Sequence, residues 1–147
     1  MLFRSGLSVR NGYEGAPERE SAKAYWRRNS ATWEDMPSPA LDKVDGEVKL
    51  FPATRTLAVK ATYVLRNPHA RPMAEVPLTV GAHFQTSGWT VDGVAVDPEQ
   101  RDQPAPAIEN RSRLYVVRPA RPLARDATVT VSFQLDGVYP QIGRAHV

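Results

Sequence analysis

The chain has 147 residues, 41% of them hydrophobic, and its 19 Lys and Arg residues against 16 Asp and Glu residues give a net charge of +3. This length suits one domain with an appendage, and the scattered placement of the basic residues argues against a nucleic-acid-binding surface. The chain has no cysteine, which excludes disulfides and thiolate metal sites, and no apolar run has the length of a membrane span.

The first 36 residues divide into a tether and a helix. Residues 1–16 contain three glycines and no hydrophobic period, and they predict a tether. Residues 17–36 begin with a proline and early acids, and their apolar side chains recur at helical spacing, which predicts an amphipathic linker helix. On this helix Tyr25, Trp26 and Trp33 are candidate partner-facing residues. The alternative, which the balance of acids and bases favours, is that these aromatics cover one end of the following sheet.

Two prolines in three positions, Pro37 and Pro39, end the helix, because proline disfavours helical geometry in the residue before it. The stretch from residue 41 to 77 then shows the longest alternation of apolar and polar residues in the chain. It predicts two strands joined by a turn at Phe51–Thr54, each with one buried and one solvent-exposed face. The residues assigned to the buried faces are Val44, Val48, Leu50, Leu57, Val59, Ala61, Tyr63 and Leu65.

The remaining sequence predicts further short strands separated by loops. Asp92-Gly93 supplies the positive φ angles of a tight hairpin turn. Loops are predicted at residues 81–87 and 98–110, and strands at 76–80, 113–117 and 127–135, with the hairpin at 89–96. Six to eight short strands with frequent turns predict a mainly β fold, an antiparallel β-sandwich over residues 40–139 with one N-terminal amphipathic helix.

No catalytic, cofactor-binding or metal-ligating residue is predicted. His69, His83 and His146 lack metal-ligand partners at helical or hairpin spacing, and the HExxH, P-loop and dinucleotide-binding motifs do not occur in the sequence. His69 lies in a predicted exposed turn, where a solvated histidine is the expected role.

Two aspartate pairs and one tryptophan also favour structural roles. Asp42 with Asp45, and Asp92 with Asp97, lie at strand ends and turns, where aspartate is common for backbone reasons. Trp89 opens a hairpin strand, and we expect it to pack in the core or at an edge rather than to bind a ligand.

Taken together, the motifs resemble those of a known family. In chain order they are a helix bearing Tyr25-Trp26, a Pro37-Ser38-Pro39 boundary, VKLFPATRTL at 48–57, ATYVLRNP at 61–68, the Asp92-Gly93 hairpin, YVV at 115–117, RPLARDA at 121–127 and VTVSF at 129–133. This order resembles the N-terminal β-domain of the M1 family of zinc aminopeptidases. It is similar in particular to bacterial proteins in which an M1-like domain follows the membrane segments of an ABC-type permease.

The resemblance, which covers about residues 22–139, implies a saddle-like β-sandwich without catalytic residues, flanking the catalytic cleft of a membrane-anchored parent. The parent would be a zinc aminopeptidase-like hydrolase, with its HExxH and GxMEN-like motifs in the next domain. This chain would then bind no zinc, and its partner would be that catalytic domain. The chain would contact peptide substrate and membrane only through the parent, and it would not bind nucleic acid. Leu123–Asp126 departs from the family's more usual Leu-Pro-Gly-Asp-like turn.

A different class of protein also accommodates the sequence. The chain would then be a free-standing β-sandwich binding module that uses Tyr25, Trp26 and Trp33 to contact a partner. The two hypotheses differ in whether HExxH is encoded within a few hundred residues downstream of Gln141.

Residues 142–147, IGRAHV, follow the last strand without strand or helix pattern. The same six residues are encoded by one reading frame of a widely used sequencing adapter. We therefore expect this segment to be a non-native tail, with native sequence ending near Gln141.

Overall fold

A computed structural model describes residues 20–21, 23–25, 27–28, 34–81, 84–102 and 112–138. The predictions for residues 1–16 and 142–147, and those for Trp26, Trp33, His83 and His146, lie outside these described residues. The chain divides into two compact units, with the first boundary between Met36 and Pro37. That boundary coincides with the two prolines.

The first unit contains a short helix. Residues 20–21, 23–25 and 27–28 are helical, whereas residues 34–36 form a turn and bend. The helix predicted over residues 17–36 therefore ends before Glu34. The bend at Met36 has a local cause, because Pro37 disfavours helical geometry in the residue before it.

The second unit is mainly β, as predicted. Its described residues form two antiparallel sheets, one of five strands in the order β1-β2-β8-β4-β5 and one of three strands in the order β3-β7-β6. The strands are β1 (Ala40–Phe51), β2 (Thr56–Arg66), β3 (Val76–Gly81), β4 (Phe84–Val91), β5 (Val94–Ala95), β6 (Glu99–Gln100), β7 (Ser112–Val117) and β8 (Thr128–Val138).

The two predicted hairpins form at the predicted places. β1 and β2 pair along their whole length, and the turn between them closes with a hydrogen bond from Arg55 N to Pro52 O of 3.3 Å. β4 and β5 pair around Asp92 and Gly93, whose φ angles are 49° and 80°. Asp92 also accepts a 2.9 Å hydrogen bond at Oδ1 from Thr130 N, which ties this turn to β8.

Two predicted loops contain strands. The loop expected at residues 81–87 contains the start of β4, and the loop expected at 98–110 contains β6. The start of β4 escaped prediction because Gly88, at φ 61°, lies in a bulge that interrupts the alternation. β6 is only two residues long, which is too short to show an alternation, so local composition could not reveal it.

The core draws on strands of both sheets. Trp89 of β4 stacks on Phe133 of β8 with ring centroids 4.5 Å apart, and Tyr63 of β2 meets Phe133 edge-on at 5.2 Å. Tyr115, which belongs to β7 in the other sheet, lies 5.4 Å from Trp89. The expectation that Trp89 is a packing residue is thus confirmed, and its contacts join the two sheets.

One buried asparagine joins two connections at the end of the sheets. Asn67 is 0% exposed, and its Nδ2 donates to Arg71 O at 2.9 Å and to Leu123 O at 2.8 Å, while its Oδ1 accepts from His69 N at 2.9 Å. Next to it, Met73 and Leu123 exchange two backbone hydrogen bonds. Because every polar group of this side chain is satisfied, Asn67 fixes the turn after β2 to the connection before β8.

Candidate interaction surface

The most unusual surface of the second unit is one face of β1, the edge strand of the five-stranded sheet. The register places Val44 opposite Tyr63, Val48 opposite Val59, and Leu50 opposite Leu57. Residues directly opposite each other on paired strands share a face. These β1 side chains therefore lie on the face of the sheet that forms the core.

A bulge extends this apolar face to the beginning of the strand. Leu41 pairs with Leu65 and Lys43 pairs with Val64, so the register shifts by one residue between them. Without the shift, Leu41 and Val44 would point to opposite faces, because strand side chains alternate. With it, Leu41 joins Val44, Val48 and Leu50 on one side, and we call these four residues the β1 apolar face.

The β1 apolar face is exposed, and the prediction that β1 has a buried face is wrong. Its members expose large fractions of their surface: Leu41 55%, Val44 52%, Val48 57% and Leu50 62%. Among the described residues, the core cluster includes members of β2, β3, β4, β7 and β8 but none of β1. Phe51, at the end of the strand on the opposite face, is also half-exposed.

The exposure of β1 accompanies its position at the edge of the five-stranded sheet. Burial falls outward from β8, through β2, to β1. In one cross-strand row, Val131 of β8 is fully buried, Tyr63 of β2 is half-buried and Val44 of β1 is exposed. Alternation in the sequence thus identified the core-facing side of β1, but the core formed by the described residues does not extend to this strand.

The opposite face of β1 is polar and pairs within itself. Lys43 Nζ lies 2.7 Å from Asp45 Oδ2, and Lys49 Nζ lies 3.2 Å from Glu47 Oε1. Such exposed pairs contribute little stability, but charged side chains on an edge strand oppose uncontrolled pairing with other chains. β1 is therefore strongly two-sided, with a charged outer face and an apolar inner face.

A second notable feature is a four-membered ion-pair network, defined as Glu75, Glu99, Arg101 and Arg118. Arg101 donates to both oxygens of Glu75, at 2.7 and 2.9 Å, and to both oxygens of Glu99, at 3.0 and 3.1 Å. Arg118 Nη2 donates to the same two carboxylates at 2.8 and 2.6 Å. The sequence reveals the network only through the same-face spacing of Glu99 and Arg101.

The ion-pair network is suited to a structural role. Hydrogen bonds from Arg101, and next from Arg118, lower the pKa of Glu75 to about 2 and that of Glu99 to about 2. A general acid or base works best with a pKa near the working pH. Carboxylates that stay ionised, with their oxygens already accepting hydrogen bonds, instead hold β6 against the ends of β3 and β7.

Tyr25 and His69, which were singled out from the sequence, fall within the described residues. Tyr25 is 3% exposed, so little of its ring is available to a partner, and the role proposed for it with Trp26 and Trp33 stays a prediction. Nε2 of His69 is 2.9 Å from Ser38 O, which joins the Pro-Ser-Pro segment to the turn after β2.

The aspartates for which a structural role was expected have separate partners. Asp42 accepts hydrogen bonds from Arg66 Nε at 2.9 and 3.2 Å, whereas Asp45 pairs with Lys43 on the same strand. Asp92 accepts the hydrogen bond from Thr130 N described above, which joins its turn to β8. The expectation that aspartate serves the backbone and strand ends is confirmed for Asp92.

Within the part of the chain that the structure describes, no group of three His, Asp or Glu side chains is placed to hold a metal ion. The helical residues described include no segment long and apolar enough to cross a membrane. No family model, no curated protein and no solved structure matches this chain.

Proposed function

We propose that this chain is a β-sandwich domain without catalytic residues, the N-terminal domain of an M1-like zinc metallopeptidase. In this proposal the two sheets are the two layers of the sandwich, and the domain flanks the catalytic cleft of a membrane-anchored parent. Support for the sandwich comes from the shared core, in which Trp89 of one sheet contacts Tyr115 of the other. Support for the family comes from the sequence resemblance.

The observation that carries the proposal is the exposed β1 apolar face. A solvent-facing sheet surface is normally polar, and a contiguous apolar patch usually marks an interaction site. Here the apolar face belongs to the same side of the sheet as the core. That arrangement suits a domain of a larger protein in which further structure continues the covering layer.

In this proposal the chain acts as a scaffold. No residue of this chain is assigned to zinc or to the peptide substrate, because the family's HExxH ligands and GxMEN-like loop would lie in the following domain. Zinc, bound there, would supply the Lewis acid that activates water for peptide hydrolysis. The contribution of this chain is to support that domain and to wall the cleft.

Recovery of the intact reading frame tests the proposal. We expect HExxH to be encoded within the few hundred residues that follow Gln141, and the purified 147-residue chain to bind no stoichiometric zinc and to cleave no aminoacyl substrate. The intact protein should bind one zinc ion and show aminopeptidase turnover. An intact frame without HExxH, or zinc-dependent turnover by the 147-residue chain, contradicts the proposal.

A further inference from the structure

We infer that the β1 apolar face is the docking surface for the domain that follows β8 in the parent polypeptide. The inference rests on the proposed function, and it deepens it by naming the surface of this domain that the following domain covers. Three properties of the structure favour this occupant. They are the area of the face, its distance from the end of β8, and the placement of the charged residues of β1 on the other face.

The area suits a tethered domain better than a second copy of the chain. From their fractional exposure, the four side chains offer on the order of 400 Å² of accessible surface. A stable complex of separate proteins buries about 800 Å² from each partner. Interfaces between domains of one chain start at about 600 Å² in total, which two faces of this size reach.

Tethering explains why a small area suffices. A covalent connection places the second domain at an effective concentration of about millimolar, so the contact need not repay the entropy of bringing two free molecules together. A free partner would need additional contacts. The β1 apolar face is therefore large enough to position a neighbouring domain and too small to hold a separate protein alone.

The chain leaves the sheet close to this face. Val138, the last residue of β8, pairs with Thr56 of β2, which in turn pairs with Phe51 at the end of β1. Two inter-strand spacings separate Val138 from Phe51, a distance of about 10 Å. A domain connected to β8 by even a short segment can thus reach the Leu50 end of the β1 apolar face.

The charge of the strand indicates an apolar occupant. The four charged side chains of the outer face, Lys43, Asp45, Glu47 and Lys49, already pair within β1 and point away from the apolar side. No charged residue of β1 is left on the apolar side between Val44 and Leu50, where Gly46 takes the only other position. The complementary surface is therefore expected to consist of aliphatic or aromatic side chains.

Introduced thiols test the inference directly, because the chain has no cysteine of its own. Val48→Cys places a thiol on the β1 apolar face, and Lys49→Cys places one on the outer face of the same strand as a matched control. Each variant is made in the 147-residue chain and in the intact parent. Alkylation by a maleimide is then followed by mass spectrometry of the β1 peptide, so cysteines elsewhere in the parent do not interfere.

In the 147-residue chain we expect both thiols to react at similar rates. In the intact parent we expect the alkylation rate of the Val48→Cys thiol to be at least about tenfold lower. A tenfold reduction corresponds to a docked state that holds nine-tenths of the molecules. The Lys49→Cys thiol should keep its rate. Equal rates at both positions in the parent overturn the inference, as does an intact reading frame with no domain after β8.

The outcomes separate this inference from the proposed function. A parent with HExxH and zinc whose Val48→Cys thiol stays reactive supports the family assignment and overturns the docking surface. A parent that lacks HExxH but protects the Val48→Cys thiol supports the docking surface and overturns the family assignment. Sedimentation of the 147-residue chain tests the remaining occupant, which is a second copy of the chain. We expect a monomer, and a dimer that Val48→Lys dissociates would assign the face to a second copy.

Discussion

Truncating the same residue type at two depths of one sheet face tests whether β1 is uncovered. Val48 and Val131 both lie on the core side of the five-stranded sheet, but Val48 is 57% exposed and Val131 is 0% exposed. Val131→Ala removes two carbon atoms from the core and leaves a cavity, so it should lower the free energy of unfolding by about 2.5 kcal/mol.

Val48→Ala should cost much less. Complete burial of two carbon atoms is worth about 1.6 kcal/mol, and only about two-fifths of this side chain is buried, which gives about 0.7 kcal/mol. No cavity contribution is added, because solvent fills the space that the side chain leaves. The expected difference between the two variants is therefore about 2 kcal/mol.

Urea denaturation of the 147-residue chain, followed by tryptophan fluorescence, measures both costs, since Trp89 lies in the core stack on Phe133. Lys49→Ala, on the outer face of β1, serves as the control and should change stability by less than about 0.5 kcal/mol. If Val48→Ala costs as much as Val131→Ala, the β1 apolar face is covered within this chain. The docking inference would then lose the observation on which it depends.

Three further variants or conditions test the structural account of the domain. Asn67→Ala removes the three hydrogen bonds of a buried side chain and should lower the free energy of unfolding by about 3 kcal/mol, and a cost below about 1 kcal/mol would contradict the role assigned to it. Acid titration should reveal the ion-pair network: its carboxylates have pKa values of about 2, below the ordinary 4.5, so their stabilisation is complete above about pH 4.5 and is lost as the pH falls towards 2. Denaturation midpoints measured across this range should fall less steeply in Arg101→Gln than in the unmodified chain. Gly93→Ala should cost about 1 kcal/mol, because φ is 80° and no neighbouring atom obstructs the new methyl group. Gly46→Ala, at an ordinary φ and with ordinary contact to a backbone oxygen, is its matched control and should be close to neutral in the same denaturation assay.

Alternation along the chain was sufficient to predict most strands of this fold. β2, β8 and the part of β1 after its bulge are long and regular, so the positions of their apolar residues identified both the strand and its core-facing side. The tight turn at Asp92-Gly93 was predictable because few residue pairs adopt its backbone angles. These features depend on residues that are close together in the sequence, so they can be predicted from it.

Coverage of the sheet was not predictable in the same way. Alternation assigns Val48 to one face of the sheet, but whether that face is buried depends on what packs over it in the tertiary structure. The ion-pair network was hidden for a related reason, since Glu75 and Arg118 meet only because β3 pairs with β7. Both features follow from tertiary pairing between distant segments.

The bulge in β1 bears on why the exposed face exists. Edge strands that remain in solvent commonly use bulges and inward charges to make the strand unattractive to partners. The bulge after Leu41 has the opposite effect, because it moves an additional leucine onto the apolar side and extends that side along the strand. The register shift lengthens the apolar face, and the charged side chains of the strand are directed to the other side. This pattern is typical of a strand that packs in a core. It supports the proposal that β1 is a core strand whose cover would come from another part of a larger protein.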